Sequence, residues 1–357
     1  MTSSHSVPEA VSQRLLSFLA ERREHAMADS PEAALVIDAA SSSLAGGKRL
    51  RARFCETGWR AVSPAIGADS IIDAASSLEI FQAAALVHDD IIDNSDTRRG
   101  RPAAHRALEA MHVSRGWAGD AAAFGRSAAL LLGDLLVAWS NDLFEEALSA
   151  HPSPRPARDE YARMRRDVTL GQFLDIAQES AWVAQPDAEH ADRALEVASL
   201  KSARYSVLQP LVIGASIGGA HDEQLAALRA FGLPIGLAFQ LRDDVLGVFG
   251  DTALTGKPSG DDLREGKRTL LIAYAREGMD ATARASLDAD LGRTDLNESD
   301  VTRLQSAIIA TGALQRVEER ITAFMADADA ALESGVLAAD AVADLRALAL
   351  AATARTS

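Results

Sequence analysis

Apolar residues recur at spacings of three and four along almost the whole chain, from VSQRLLSFLAERREHAM near its start to VTRLQSAIIATGALQRVEERITAFMADADAAL near its end. That spacing is the period of a helix with one buried face. Ala, Leu, Arg and Glu dominate these stretches, and all four favour helix. Runs of strand length with β-branched residues in alternation are missing. Clusters of Gly, Pro and charge break the pattern at AGGKRLR, DTRRGRPAAH, HPSPRPARD, AQPDAEHAD and DTALTGKPSGDDLREGKR. The chain is therefore expected to be all-α, one domain over residues 1–357 with roughly ten or more helices. HPSPRPARD is the best place for a linker, but it is short and reads better as a helix connection.

Composition narrows the class of partner. The net charge of −15 argues against nucleic acid, whose phosphates select basic surfaces, and disfavours anionic membranes. Apolar runs are broken by Gly or Asp well before 18 residues, so no membrane-spanning helix and no stable membrane insertion are expected. The opening MTSSHSVPEAVSQRLL lacks a basic segment followed by an apolar one, so no signal peptide is read. A single cysteine, Cys55, rules out an intramolecular disulfide. A reducing, cytoplasmic location follows as the expectation, with Cys55 as a small core residue.

Two stretches carry unusual chemistry. In IFQAAALVHDDIIDNSD an apolar helix runs straight into Asp89, Asp90 and Asp93. Asp89 and Asp93 are four apart, so they share a helix face one turn apart. Like charges there repel by a few tenths of a kcal/mol, and a cation between them would reverse the sign. Carboxylate oxygens suit Mg²⁺, which takes one or two carboxylates together with phosphate oxygens and water. The pattern repeats in AFQLRDDVLGVFGD, where an apolar helix carries Gln240 and then Asp243 and Asp244, as the first carries Gln82. Two such helices face to face would wall the mouth of an apolar cavity with carboxylates.

Cations accompany the acids. GGKRLR supplies Lys48, Arg49 and Arg51; TRRGRP supplies Arg98 and Arg99; LKSARY supplies Lys201; TGKPSGDDLREGKRT supplies Lys257 and Lys267. Arginine forks grip phosphate with two donors, and lysine acts as a point charge. Neither glycine-containing stretch has the spacing of a Walker loop. Together the groups make sense as two polyphosphate sites, one built through metal and one directly from Lys and Arg.

In this order, GGKRLR, FQAAALVHDDIIDNSDTRRG, GQFLDI, LKSARY, FQLRDDVLG, GKPSGDD and GKRT resemble the motifs of the trans-prenyl diphosphate synthases, and most nearly the bacterial geranylgeranyl diphosphate synthase type. The motifs span roughly residues 40–275. The resemblance implies an all-α prenyltransferase fold around a deep apolar cavity, usually a homodimer. It implies that isopentenyl diphosphate is condensed head-to-tail with an allylic diphosphate, with Mg²⁺, three ions per site when substrate is bound. Carried over by position, Asp89, Asp93 and Asp243 would ligate the metal. Asp90 completes the first acidic motif, Asp244 supports the second, and Asp261 is expected to hold metal-bound water. Arg98, Lys201 and Lys257 would hold the allylic diphosphate; Lys48, Arg51, Gln82 and Arg99 would hold isopentenyl diphosphate. Lys267 would also bind substrate. Ser202 and Gln240 would face the reacting carbons. His88, beside the acids, is expected to pack rather than to catalyse.

The likeness also sets a product-length expectation. Ala84 and Ala85 lie one turn below Asp89, with Phe81 deeper and Trp139 on the helix after LLLGD. Small residues let a growing chain pass; Phe81 or Trp139 would stop it near twenty carbons. Ala84→Phe is then expected to shorten the product. Two features depart from the family pattern. Gly247 stands where a third aspartate could, and Gly247→Asp is expected to change turnover only modestly. The chain also ends ALAATARTS, without a basic tail to close the site. A class I terpene cyclase and a non-catalytic partner subunit are the rival readings. Lys48, Arg51 and Gln82 argue against the cyclase, which needs no second diphosphate site. The intact first motif argues against the silent subunit.

Overall fold

The computed structural model describes residues 6–64, 66–251, 259–293 and 295–354. Its helices in chain order are α1 (Val7–Asp29), α2 (Ala33–Leu44), α3 (Leu50–Ala61), α4 (Ile71–Ile92), α5 (Ala104–Ser114), α6 (Ala121–Ala147), α7 (Arg155–Ala181) and α8 (His190–Val197). Next come α9 (Gln209–Ile217), α10 (Asp222–Phe249), α11 (Asp261–Glu265), α12 (Leu270–Glu277), α13 (Ala281–Asp290), α14 (Glu298–Ala310), α15 (Ala313–Ala331) and α16 (Ala339–Thr353). Between α8 and α9 the chain stays helical but widens into a π-helix over Ala198–Leu208. The helix starts are set locally. The Asp120 carboxylate accepts from the N–H groups of Ala122 and Ala123 at the head of α6, and the Asn297 amide oxygen accepts from Asp300 N–H at α14, satisfying donors with no partner inside the helix.

The apolar stripes pack helix on helix. α4 lies along α6, α3 along α9, and α10 between the π segment and α15. One buried cluster joins α1, α2, α4, α6 and the start of α7, with Phe144 stacked on Tyr161 at 4.0 Å. A second is built from the last half of α10 and helices α12 to α15, and a third from α3, α9, the first half of α10 and α16. The acid-bearing ends of α4 and α10 meet the cavity that these helices leave open. Cys55 is fully buried, and burial pushes its thiol well above the ordinary range.

Three details differ from the periodicity reading. Within DTRRGRPAAH the chain forms a two-stranded hairpin, β1 (Thr97–Arg98) and β2 (Arg101–Pro102), with Thr97 opposite Pro102 and Arg98 opposite Arg101. Arg99 and Gly100 are its turn, at φ 53° and 71°, the two positive φ values that a type I′ turn needs. The long C-terminal stretch is two helices, because Gly312 at φ 78° breaks it. Lastly, α4, α6 and α10 are long and apolar enough to cross a membrane by length and composition. Reading unbroken runs missed this, since mean hydropathy tolerates the Gly and Asp that interrupt a run. In the fold, 67% of the apolar window of α4 and 56% of that of α10 is buried against other helices, against 28% for α6.

Candidate active site

A cavity of about 870 Å³ opens between α3, α4, α7, the π segment and α10, near the upper end of the range usual for small-molecule sites, about 300–1,000 Å³. Asp89 on α4 and Asp243 and Asp244 on α10 line it, so tertiary packing does bring the two acid-headed helices to one space. Apolar wall is supplied by Ala85, Leu86, Val168, Phe239 and Leu246. Ala351 in α16 and Ala354 just after it also line the cavity. Arg242 holds that helix end: its Nε donates to the Thr353 carbonyl at 3.1 Å while its Nη atoms grip Glu318 at 2.6 and 2.7 Å.

The first acid cluster is threaded with cations. Lys201 Nζ lies 3.1 Å from Asp89 Oδ1 and 2.5 Å from Asp175 Oδ2. Arg98 reaches Asp89 Oδ2 at 3.5 Å and donates through Nε to Asp90 Oδ1 at 2.9 Å. Lys267 Nζ sits 3.2 Å from Asp93 Oδ2 and 2.6 Å from Glu265 Oε2. Burial alone would raise the Asp89 pKa, but Lys201, then Lys267 and Arg98, outweigh it and hold the carboxyl at about 2. Asp93 is shifted the other way: burial raises it, and the neighbouring Asp89 adds to the rise. Burial, then Asp175 and Asp93, lift Glu179 to about 7.

Lys201 reaches this cluster because two helices approach its backbone without side chains. A Cβ at Gly171 of α7 would lie 2.3 Å from Lys201 N, and one at Gly236 of α10 would lie 2.3 Å from the Ala203 carbonyl. Backbone contact at that distance is open only to glycine. The π-helical widening falls on the same residues, and π turns are rare and often found at functional sites.

On α10, Gln240 Nε2 donates to Asp244 Oδ1 at 2.7 Å. Asp244 is buried; burial, then the charge of Asp262, pushes it up to about 8. Asp262 sits against α10 at Gly247, where an added Cβ would lie 2.0 Å from its Oδ2. Both Asp261 and Asp262 line the cavity. It is Asp262, which the sequence reading passed over, that meets the second acidic motif.

A second cation group lies beside α3. Lys48, Arg49, Arg51, Arg98 and Arg99 line the cavity with Gln82. Arg51 stacks over the Tyr205 ring at 4.1 Å and donates through Nη2 to Ser206 Oγ at 2.7 Å, leaving its buried Nε without a partner. The Arg99 guanidinium has its pKa lowered by burial, with Arg49, Arg98 and Arg51 adding to the fall. Such mutual repulsion favours a bound anion.

Other residues fall differently. Ser202 and Lys267 line the cavity. Lys257 lies outside the described residues. His88 packs on Gly133 of α6 and its Nε2 lies 3.2 Å from the Leu130 carbonyl. The chain-length group divides. Ala85 lines the cavity, but Ala84 is fully buried outside it. Phe81 lies edge-on to the cavity-lining Tyr205 at 6.4 Å, and Trp139 packs edge-on against Phe18 at 6.0 Å in the core. Neither lines the cavity, although Phe81 shares the face of α4 with Ala85, one turn deeper. Asp175, Gln172, Asp262, Glu265 and Thr269 also belong to the site and were not singled out. For Asp175 a signal existed: in GQFLDI it follows Gln172 by three, on one face.

Residues 34–308 match the Polyprenyl synthetase family model. The chain belongs to the polyprenyl synthetase family. Among curated family members it is similar to the geranylfarnesyl diphosphate synthase of Aeropyrum pernix, 32% identical over 279 residues that cover 77% of this chain and 80% of that one. It is likewise similar to the geranylgeranyl diphosphate synthase of Mycobacterium tuberculosis, 30% identical over 313 residues covering 86% and 80%. Among solved structures it superposes on the geranylgeranyl pyrophosphate synthase of Corynebacterium glutamicum, complexed with isoprenyl diphosphate and magnesium, with a TM-score of 0.93 and 40% identity over 98% of this chain and 99% of that one. The chain is a prenyltransferase of this family, with its all-α fold.

Proposed function

We propose that the protein condenses isopentenyl diphosphate head-to-tail with an allylic diphosphate, using Mg²⁺, to give an all-trans product of twenty carbons, with twenty-five the alternative its relatives' names suggest. One observation carries this reading. A single apolar cavity is faced by carboxylates of two helices and by two separate cation groups, Lys201 with Lys267 and Lys48 with Arg51 and Arg99.

The acids fit a hard cation that needs phosphate to complete its shell. Asp89 Oδ1 and Asp93 Oδ2 are buried, and each faces a lysine ammonium, at 3.1 and 3.2 Å. Mg²⁺ takes one or two carboxylates and completes its shell with phosphate oxygens and water. Asp89, Asp93 and Asp243 would hold it. Bound there, it would neutralise negative charge on the departing diphosphate. The chain's own groups do the rest. Arg98, Lys201 and Lys267 grip the allylic diphosphate, and the walls from Ala85 to Leu246 keep water from the allylic cation. The Ser202 hydroxyl and the Gln240 amide present dipoles toward positive charge. Lys48, Arg51, Arg99 and Gln82 hold isopentenyl diphosphate so that its double bond attacks. The released diphosphate takes the proton, so no histidine base is required. Incubation with isopentenyl diphosphate, each allylic primer and Mg²⁺, followed by chromatography, should yield an elongated diphosphate. A cyclised hydrocarbon formed without consumption of isopentenyl diphosphate would overturn the assignment.

Product length gives a sharper test. Ala85→Phe places a ring in the cavity one turn below Asp89 and should shift the main product to about fifteen carbons, since each helical turn is about 5.4 Å. Ala84→Phe enters packed core and should mainly destabilise, by about 1–3 kcal/mol for overpacking, seen as a lower melting temperature. An unchanged product from a folded Ala85→Phe enzyme would show that the chain does not pass this face.

We further propose a homodimer and a soluble, cytoplasmic enzyme. Leu130 and Leu131 on α6 are 50% and 63% exposed, and Phe173 on α7 is 65% exposed. Apolar side chains gathered on helix faces in this way mark interaction surfaces. Sedimentation equilibrium should give twice the chain mass.

A further inference from the structure

Arg49 belongs to the basic stretch GGKRLR and lines the cavity, but its guanidinium is already engaged by protein groups. It is buried, its Nη1 lies 3.5 Å from Glu79 Oε2, and its Nη2 donates to the Leu44 carbonyl at 2.8 Å. The backbone of Arg49 is left-handed, φ 50°, and it is the N-cap of α3 with no capping hydrogen bond from its own side chain. The cap comes from another helix. Glu79 of α4, 4% exposed, accepts the N–H of Ala52, in the first turn of α3, through Oε1 at 3.1 Å. One buried carboxylate thus does two things. It satisfies a first-turn donor that α3 cannot satisfy itself, and it pairs with the arginine that straps the loop after α2.

The position of this strap is informative. Lys48 and Arg51 flank it on one side, and Gln82 follows Glu79 by three on the same face of α4. Arg99 closes over the loop: its Nη1 donates to the Ala45 carbonyl at 3.4 Å, and a Cβ at Gly47 would meet its guanidinium at 3.1 Å. Beneath this gathering of cations lies the single negative charge of Glu79, which also offsets the mutual repulsion that acts on Arg99.

We infer that Glu79 is a positioning residue for the diphosphate subsite of the non-allylic substrate, acting through Arg49 and the N-terminus of α3 to aim Lys48 and Arg51. The inference rests on the condensation reaction proposed above. Glu79 touches no reacting atom, so its loss should appear in substrate affinity rather than in the chemical step. A strap that served the fold alone would lower stability and leave the balance between the two substrates unchanged.

The test is steady-state kinetics on the full chain with both substrates varied, alongside thermal melting. Glu79→Leu loses both bonds and should raise the KM for isopentenyl diphosphate about tenfold, the scale of one buried charged contact, with kcat within about threefold and the KM for the allylic primer unmoved. Glu79→Gln keeps an acceptor for Ala52 N–H but loses the charge that faces Arg49, so it should show the same split at a smaller size. Arg49→Met keeps the Ala52 cap and should show the same split at a smaller size than Glu79→Leu, and the double variant should be no worse than Glu79→Leu alone. Equal rises in both KM values, a fall in kcat alone, additive effects or unchanged kinetics would each overturn the inference. If Glu79→Leu does not fold, Glu79→Gln and Arg49→Met carry the same criterion, and absence of the split in them overturns it. A wild-type enzyme that elongates no primer overturns the functional reading itself, which distinguishes the two failures.

Discussion

Asp89→Ala is expected to lose about 10³-fold in turnover while keeping its fold, equivalent to about 4 kcal/mol of transition-state stabilisation. Asp89 stands where three cations converge, with Lys201 at 3.1 Å and Arg98 at 3.5 Å, and Lys267 acting from beyond. Removing a buried partner usually strands a charge and destabilises. Here it does not. Lys201 keeps Asp175 at 2.5 Å, and Arg98 keeps Asp90 through its Nε at 2.9 Å. The loss therefore falls on the reaction, where Asp89 is proposed to join metal to diphosphate. Asp243→Ala should behave alike, from the facing helix. Turnover as a function of Mg²⁺ concentration, with the melting temperature as control, checks both. Near-full turnover with unchanged Mg²⁺ dependence would remove Asp89 from the proposed metal shell.

Gly247→Asp should lose about 10²-fold, about 2.7 kcal/mol, which reverses the modest change expected from the sequence. The sequence presents Gly247 as a vacancy for a third acid. In the fold that space is occupied: Asp262 Oδ2 would be 2.0 Å, and its Cγ 2.3 Å, from a Cβ at position 247. An aspartate side chain is short, so it cannot swing clear without moving α11, which bears Asp261 as well. The new carboxylate would also join a buried Asp244 already pushed to about 8 by burial and Asp262. Sterics and charge act together, and Gly247→Ala separates them. It should lose activity in the same direction but less. Wild-type turnover for Gly247→Asp would show that α11 yields freely and that Asp262 has no fixed place at the site.

The two predictions mark where sequence reasoning reached and where it stopped. Spacing of three and four was enough to expect helices, since burial of one helical face is written directly in residue order. The repeated apolar helix running into paired aspartates was enough to expect Asp89 and Asp243 at one cavity, because acids at the end of a buried stripe need a common partner. Motif order was enough to place the chain with the prenyl synthases. Other features were not legible. The turn at Arg99–Gly100 needed the strands on either side to show itself, and the π-helical stretch around Lys201 has no period that residue order distinguishes from α.

What only the tertiary structure decided concerns direction. Ala85 lines the cavity and Ala84 does not; Arg49 pairs with Glu79 while Arg51 stacks on Tyr205; Asp262 rather than Asp261 meets Gly247. Each is a choice between near neighbours in sequence that share composition and helical propensity. A residue's place along the chain determines its angle around its own helix, to within a fraction of a turn. Which angle faces the cavity depends on where the other helices lie, as Glu79 of α4 beneath α3 and Gly171 of α7 against Lys201 make plain. Those placements come from close packing between residues far apart in sequence, where a single Cβ separates contact from collision.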